Sequence, residues 1–180
     1  MRKIKQLLEN RTEPISAIMT INAGAIPPDH WTQDIYVGGG RIIGEACHFI
    51  DLLRHIVGEE VLNYKINSMD AEKKDTVTIE LSFIDGSIGT IHYFSNGSRS
   101  FPKERLEVFT SGRILTLDNF KKLSGYGWKH FNTMKLWQQD KGQQKCVEKF
   151  LKAISNNEKS PIPIEEIIEA TRITIDLADS

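Results

Sequence analysis

Cysteine is scarce in this sequence: Cys47 and Cys146 are the only two in 180 residues. Two thiols are too few for a disulfide scaffold and fit a chain kept in a reducing compartment. A charge surplus is also missing, with 23 Lys+Arg against 24 Asp+Glu. Nucleic-acid and anionic-membrane binders need a basic excess, so neither partner is expected. No apolar run reaches the length of a bilayer span. The uncharged stretch from Pro14 to Pro28 is interrupted by Asn22, Gly24 and Pro27 and is too short to cross. The opening Met-Arg-Lys-Ile-Lys-Gln continues into a mixed polar stretch without a signal-peptide core, and internal repeats are absent. A soluble, cytoplasmic, single domain over residues 1–180 is the expectation.

What is present is strong local periodicity. Ile4, Leu7 and Leu8 fall at helical spacing. Ile15, Ala17, Met19 and Ile21 alternate with their neighbours, which reads as a strand. Gly24 to Trp31, punctuated by Pro27 and Pro28, is a loop. Gly38 to Gly40 then launch a helix whose apolar face is Ile42, Ile43, Ala46, Phe49, Ile50, Leu53, Ile56 and Val57, stopped by Gly58. Strands follow at Val61–Ile66, Val77–Phe83, Ile88–Phe94, Glu104–Thr110 and Arg113–Leu117. The dipeptides Asp85-Gly86 and Ser111-Gly112 mark hairpin turns. Phe120–Leu123 and Phe131–Leu136 add one or two more strands. Val147, Phe150, Leu151 and Ile154 mark a helix, and Ile164, Ile167, Ile168, Thr171 and Ile175 mark a last one entered from Pro161 and Pro163. Strands grouped together and joined by tight turns predict an α+β fold: a large, mostly antiparallel open sheet with helices on one face.

The glycine cluster invites a dinucleotide-binding reading, because bare backbone N–H groups at a helix start cradle phosphates. The spacing G-x-G-x-x-x-G is wrong for that fingerprint, and Thr-Gln-Asp-Ile-Tyr before it is too polar for a buried first strand. No cofactor is therefore expected on this chain alone. The helix behind the glycines is more informative. Arg41, Glu45, His48 and His55 follow helical spacing and form one polar stripe, with Asp51 on its edge. A histidine with carboxylates three residues to either side suits general acid/base work, although a solvated charged face has the same pattern. Glu45-x-x-His48 also matches half of a di-metal carboxylate site. Such a site needs a helical bundle, so no metal is expected.

Gly38-Gly-Gly-Arg-Ile-Ile-Gly-Glu-Ala-Cys-His-Phe-Ile-Asp51 resembles the substrate-domain motif of the glucose–fructose oxidoreductase, inositol dehydrogenase and rhizopine-catabolism family (Gfo/Idh/MocA). That motif runs roughly G-G-G-x-x-x-D-x-G-x-H-x-I-D. Asn22 to Trp31 and Pro161-Ile-Pro-Ile-Glu-Glu166 resemble its flanks. The pattern is similar to members associated with bacterial surface-sugar metabolism. The resemblance implies the C-terminal half of a two-domain enzyme, carrying an open sheet, the substrate pocket and the homo-oligomer interface. A Rossmann domain that binds NAD or NADP, with the catalytic lysine, is absent from this chain. The implied function is substrate binding and oligomerisation in a sugar or cyclitol oxidoreductase. His48 would be the catalytic residue beside the hydroxyl, and Arg41, Glu45, Asp51, Tyr36, His30 and Trp31 would hold the sugar. Ala46 replaces a motif glycine, and Gly44 stands where the motif has its Asp. Glu45 is one step, or about 100° of helix, away from that place. The missing carboxylate keeps a second reading open, a non-catalytic sugar-binding or scaffold module.

Overall fold

A computed structural model describes residues 1–180 apart from Pro28, Glu72 and Lys73; the Pro28 part of the expected loop lies outside the described residues. In chain order the elements are α1 (Arg2–Leu8), β1 (Ser16–Asn22), a 3-10 turn (Trp31–Gln33), a π-helical turn (Ile42–Ala46), α2 (Cys47–Val57) and β2 (Val61–Ser68). Then come β3 (Val77–Phe83), β4 (Ile88–Phe94), β5 (Glu104–Thr110), β6 (Arg113–Asp118), β7 (Lys122–Tyr126), β8 (Thr133–Lys135), α3 (Gln143–Ser155) and α4 (Ile164–Ala178).

The strands form one sheet in the order β2-β3-β4-β1-β5-β6-β7-β8. Two antiparallel meanders, β2 to β4 and β5 to β8, lie on either side of β1. That strand pairs parallel with β4 and antiparallel with β5. Hairpin turns at Asp85-Gly86 and Ser111-Gly112 join β3 to β4 and β5 to β6, where the sequence places them. The alternation of each strand sends one set of side chains to a common core: Ala17, Met19 and Ile21; Val77, Ile79, Leu81 and Phe83; Ile91 and Tyr93; Leu106 and Val108; Leu115 and Leu117. Ile4 and Leu8 of α1, Phe49, Ile50, Leu53 and Ile56 of α2, and Ala170, Ile173 and Leu177 of α4 close that core from one side. The fold is the expected α+β class.

Two polar ties and one close approach hold this layer in register. Glu169 of α4 accepts from Arg54 Nε at 2.8 Å and from the Val61 N–H at 2.6 Å, so one carboxylate joins α4, the end of α2 and the start of β2. Both side chains of that ion pair are about nine-tenths covered, and removing either partner would strand the other charge at a cost of about 3–5 kcal/mol. Arg11 bridges Asp85 in the β3–β4 hairpin and the Val57 carbonyl, each at 3.0 Å. At Gly89 a Cβ would come within 2.8 Å of Leu53 Cδ1, so the missing side chain on β4 is what admits α2 this close to the sheet.

Two expectations about the helices change. Val147, Phe150, Leu151 and Ile154 of α3 are 54–62% exposed, and in α4 the buried residues are Ala170, Ile173, Thr174 and Leu177 rather than the isoleucines that mark the helix. The helix after Gly40 begins with a π turn, and Ile43 on its supposed apolar face is 38% exposed. No described helix is long and apolar enough to cross a membrane.

Candidate substrate site around the glycine turn

The chain reaches α2 through a tightly packed turn. A Cβ on Gly38 would lie 2.6 Å from both Thr32 Cα and the Trp31 carbonyl oxygen, so only glycine lets the turn close on the 3-10 segment. The π turn that follows holds one residue more than an α turn, which re-aims the side chains before Cys47 relative to those after it. This is why spacing alone places Arg41 on the exposed stripe, whereas the structure turns it inward.

Arg41 is 3% exposed and is not available to a substrate. Its Nη1 donates to the Gly24 carbonyl at 2.8 Å and lies 3.7 Å from Asp75 Oδ2, and its Nε donates to Glu45 Oε1 at 3.2 Å. The guanidinium sits over the Tyr93 ring, 5.2 Å from its centre. Asp75 in turn accepts from Ser95 Oγ at 2.6 Å. Arg41 thus pins the loop after β1, the π turn, the start of β3 and the end of β4 to one point. In this structure the guanidinium is turned inward as a tie between these segments, away from the exposed stripe on which its spacing places it. Glu45 is half-buried and drawn back to Arg41, so it does not flank His48 as the spacing suggests. Burial and the Glu45 carboxylate push the Tyr93 hydroxyl far up, which keeps it a neutral phenol. Nothing local in the sequence links Arg41 to Asp75, just before β3, or to Tyr93 on β4.

His48 opens α2 and is exposed. Its Nδ1 lies 3.9 Å from Cys47 Sγ. Burial raises the Cys47 thiol above its usual range, which disfavours the reactive thiolate. Asp51, one turn along, is half-buried. Burial raises its carboxyl, Glu166 of α4 adds to this, and His55, His48 and Arg54 oppose it. Partial burial, followed by Lys5, lowers His55. Beside His48 the helix surface is open: a Cβ on Gly44 would meet only the Gly38 carbonyl oxygen, at 3.9 Å. His48 therefore stands on open helix surface just after Gly44, with half-buried Asp51 one turn further along.

The loop residues are arranged separately. His30 caps the 3-10 turn, its Nδ1 2.8 Å from Thr32 Oγ1. Trp31 is 60% exposed and Tyr36 97% exposed. The Asp34 carboxylate accepts the N–H groups of Tyr36 and Val37, fixing the shape of that tip. Among the described residues no hydrogen bond or ring contact joins His30, Trp31 or Tyr36 to His48. A polar cavity of about 530 Å³ opens elsewhere, between Ile42, the end of β2 and the end of α4.

The glycine turn does not fit a dinucleotide. It follows a 3-10 segment and loop instead of a strand, Gly38 is filled by neighbouring backbone, and the sheet's one parallel pair among the described strands is β1 with β4. Nor do three potential metal ligands converge among the described residues.

Comparison with known proteins agrees with this geometry. No curated protein sequence matches the chain. Solved structures do. The UDP-N-acetylglucosamine 3-dehydrogenase of Acidithiobacillus ferrooxidans superposes with a TM-score of 0.76 at 18% identity, covering 98% of this chain and 59% of that one. A probable dehydrogenase from Thermotoga maritima gives 0.74 at 22% identity, with 99% and 58% covered. The aldose-aldose oxidoreductase of Caulobacter crescentus gives 0.78 at 12%, with 99% and 57% covered. At these identities the likeness is one of fold, and the chain spans under three fifths of each of these relatives. Residues 15–178 match the family described as "Oxidoreductase family, C-terminal alpha/beta domain". The chain therefore belongs to the Gfo/Idh/MocA oxidoreductases, as their C-terminal α/β domain.

Proposed function

We propose that the chain is the substrate-binding and oligomerising part of an NAD(P)-dependent oxidoreductase acting on a CH–OH group of a sugar-like or cyclitol substrate. The observation that carries this reading is His48, exposed at the start of a helix whose other face is locked into the core, with exposed Gly44 one turn before it and half-buried Asp51 one turn after. The names of the sugar-oxidising structural relatives support it.

The nicotinamide, held by a Rossmann domain outside this chain, supplies the hydride chemistry. His48 accepts a hydrogen bond from the reacting hydroxyl and takes its proton as the carbonyl forms. The Asp51 carboxylate favours the resulting imidazolium. Packing of Phe49, Ile50 and Leu53 fixes the helix, so the imidazole need only choose a rotamer. The outer sheet face supports the oligomerising role. Ile88, Ser16, Phe109, Ile114 and Tyr126 lie side by side across five strands, a largely apolar row turned away from the helices.

His48→Gln keeps size and hydrogen bonding but removes the imidazole that would take the proton. In the two-domain enzyme it should lower kcat by about 10²-fold or more while shifting stability by less than about 0.5 kcal/mol. Full turnover with a large fall in Tm would show a structural histidine instead. One observation favours the non-catalytic alternative: Gly44 has no side chain and Glu45 is held by Arg41, so His48 lacks a carboxylate on its N-terminal side. Sugar-dependent reduction of NAD(P) by the two-domain protein rejects that alternative, and sugar binding without reduction supports it.

A further inference from the structure

All but one of the glycines have a reason to be glycine inside the chain itself. Eight of the thirteen have φ between +68° and +85°, where a side chain strains the backbone. At Gly38, Gly89, Gly97 and Gly125 a Cβ would come within 2.8 Å of a neighbouring atom. Gly44 has neither reason. Its φ lies outside the left-handed region, and a Cβ there would meet only the Gly38 carbonyl oxygen, at 3.9 Å. A glycine in a helix weakens it relative to alanine, since bare backbone has more freedom to lose on folding. Nothing among the described residues offsets that loss, so what the missing side chain makes room for lies outside them. Gly44 is exposed in the π turn Ile42–Ala46, a kind of turn frequent at functional sites, and His48 stands exposed four residues on. Residues four apart are surface neighbours on a helix, with about 5–6 Å between their Cβ positions.

We propose that Gly44 is a specificity-determining residue: its bare backbone admits a neutral ring substituent larger than a hydroxyl, carried on a carbon next to the one that reacts at His48. The proposal rests on the function proposed above and names the substrate class of that site. Close approach of a ligand to the backbone is a use that glycine serves and larger residues block. The spacing suits neighbouring positions of one ring: with the reacting hydroxyl at the imidazole, the adjacent substituent lies over the preceding turn, where Gly44 is. The Glu45 carboxylate, turned back to Arg41 at 3.2 Å, leaves that space clear. The charge of the substituent follows from the same segment. From Gly38 to Asp51 the basic side chains are Arg41 and His48. Arg41 is buried and engaged with Glu45, Asp75 and the Gly24 carbonyl, so it does not reach outward. His48 is taken up by the reacting hydroxyl, and Asp51 follows it. An anionic substituent over Gly44 would give up water without gaining a counter-charge, whereas a neutral acylamino group gains the backbone contact without that penalty.

The test uses the two-domain protein and two sugars that differ in one substituent, glucose and N-acetylglucosamine. Its kcat/KM should favour N-acetylglucosamine by at least about tenfold. Gly44→Leu should lower kcat/KM for N-acetylglucosamine by about tenfold or more, chiefly through KM, and change that for glucose by less than about twofold. Gly44→Ala fills less of the space, so it should act in the same direction to a smaller extent, and it serves should the leucine variant fail to fold. Equal losses for both sugars, or no loss for either, overturn the proposal, as does a parent that prefers glucose. Weaker NADH binding by Gly44→Leu also overturns it, because the bare surface would then belong to packing between domains. NADH titration and oxidation of myo-inositol by the parent read the underlying function separately. Oxidation of glucose or myo-inositol that is indifferent to Gly44 sinks only the substituent proposal, while NADH binding without oxidation of any of the three compounds sinks both.

Discussion

At the scale of single residues, what can be read from the sequence depends on whether a side chain answers to its own helix or to distant strands. His48 and Asp51 follow regular α-helical geometry, so spacing sets where they sit on α2. Arg41 sits before the π turn, and its partners come from Gly24, Asp75 and Tyr93, so the same spacing misplaces it. Glycines separate in the same way. Gly38 and Gly44 look alike in the motif, but the space around them differs. Gly38→Ala forces a Cβ to 2.6 Å from the Thr32 backbone, whereas the nearest atom to a Cβ on Gly44 is at 3.9 Å. Gly38→Ala should destabilise by about 1–3 kcal/mol, and Gly44→Ala should stabilise by up to about 1 kcal/mol through reduced unfolded-chain freedom. Urea unfolding of the two variants beside the parent measures both, and equal midpoints would refute the contrast.

For elements, alternation and turn dipeptides locate β1 and β3 to β5, because each of those strands is buried on one face and each hairpin is local, whereas β2 has no buried side chain. The ends of β7 and β8 slipped: Phe120 and Phe131 lie outside them, packed against the core as loop side chains. Helix existence was legible for α3 and α4, but the buried face was not. An apolar period cannot tell a stripe that meets the sheet from one that meets something else. The α2–α4 contact has an electrostatic consequence. Asp51 has its carboxyl raised in the folded state by burial and by Glu166. Its charge therefore works against folding: stability is highest below the unfolded pKa of about 3.9 and declines as the pH rises through the higher folded value. Asp51→Asn should match the parent near pH 4 and exceed it by a few tenths of a kcal/mol at pH 7 and above, after solvent screening. Urea midpoints across that range give the answer, and a loss of stability at neutral pH would mean Asp51 is held by contacts that outweigh the repulsion.

Across the whole molecule, strand order and the parallel β1–β4 pair left no trace in local pattern, since register between distant segments is a tertiary property. The outer sheet face was legible in part, through strands such as β6 that carry apolar residues on both sides. With Ile88, Phe109, Ile114 and Tyr126 aligned there, the protein is expected to sediment as a dimer or larger at tens of micromolar. Phe109→Glu should shift it to monomer, because a charge in the middle of the row cannot be desolvated against a second sheet. A parent that runs as a clean monomer would end that expectation.

The placement of β1 has a consequence for how the chain acquires this fold. Both of its neighbours, β4 and β5, are made long after it, whereas β3 with β4 and β5 with β6 close as hairpins as soon as they are complete. During synthesis the future centre of the sheet is a lone apolar strand with both backbone edges unpaired. It must wait for two separately formed ribbons to be brought together around it. Such late, long-range pairing is slow and leaves edges open to the wrong partner. The segment around Met19 and Ile21, fully buried in the finished sheet, is thus unpaired and open to wrong partners in the newborn chain until both ribbons have formed.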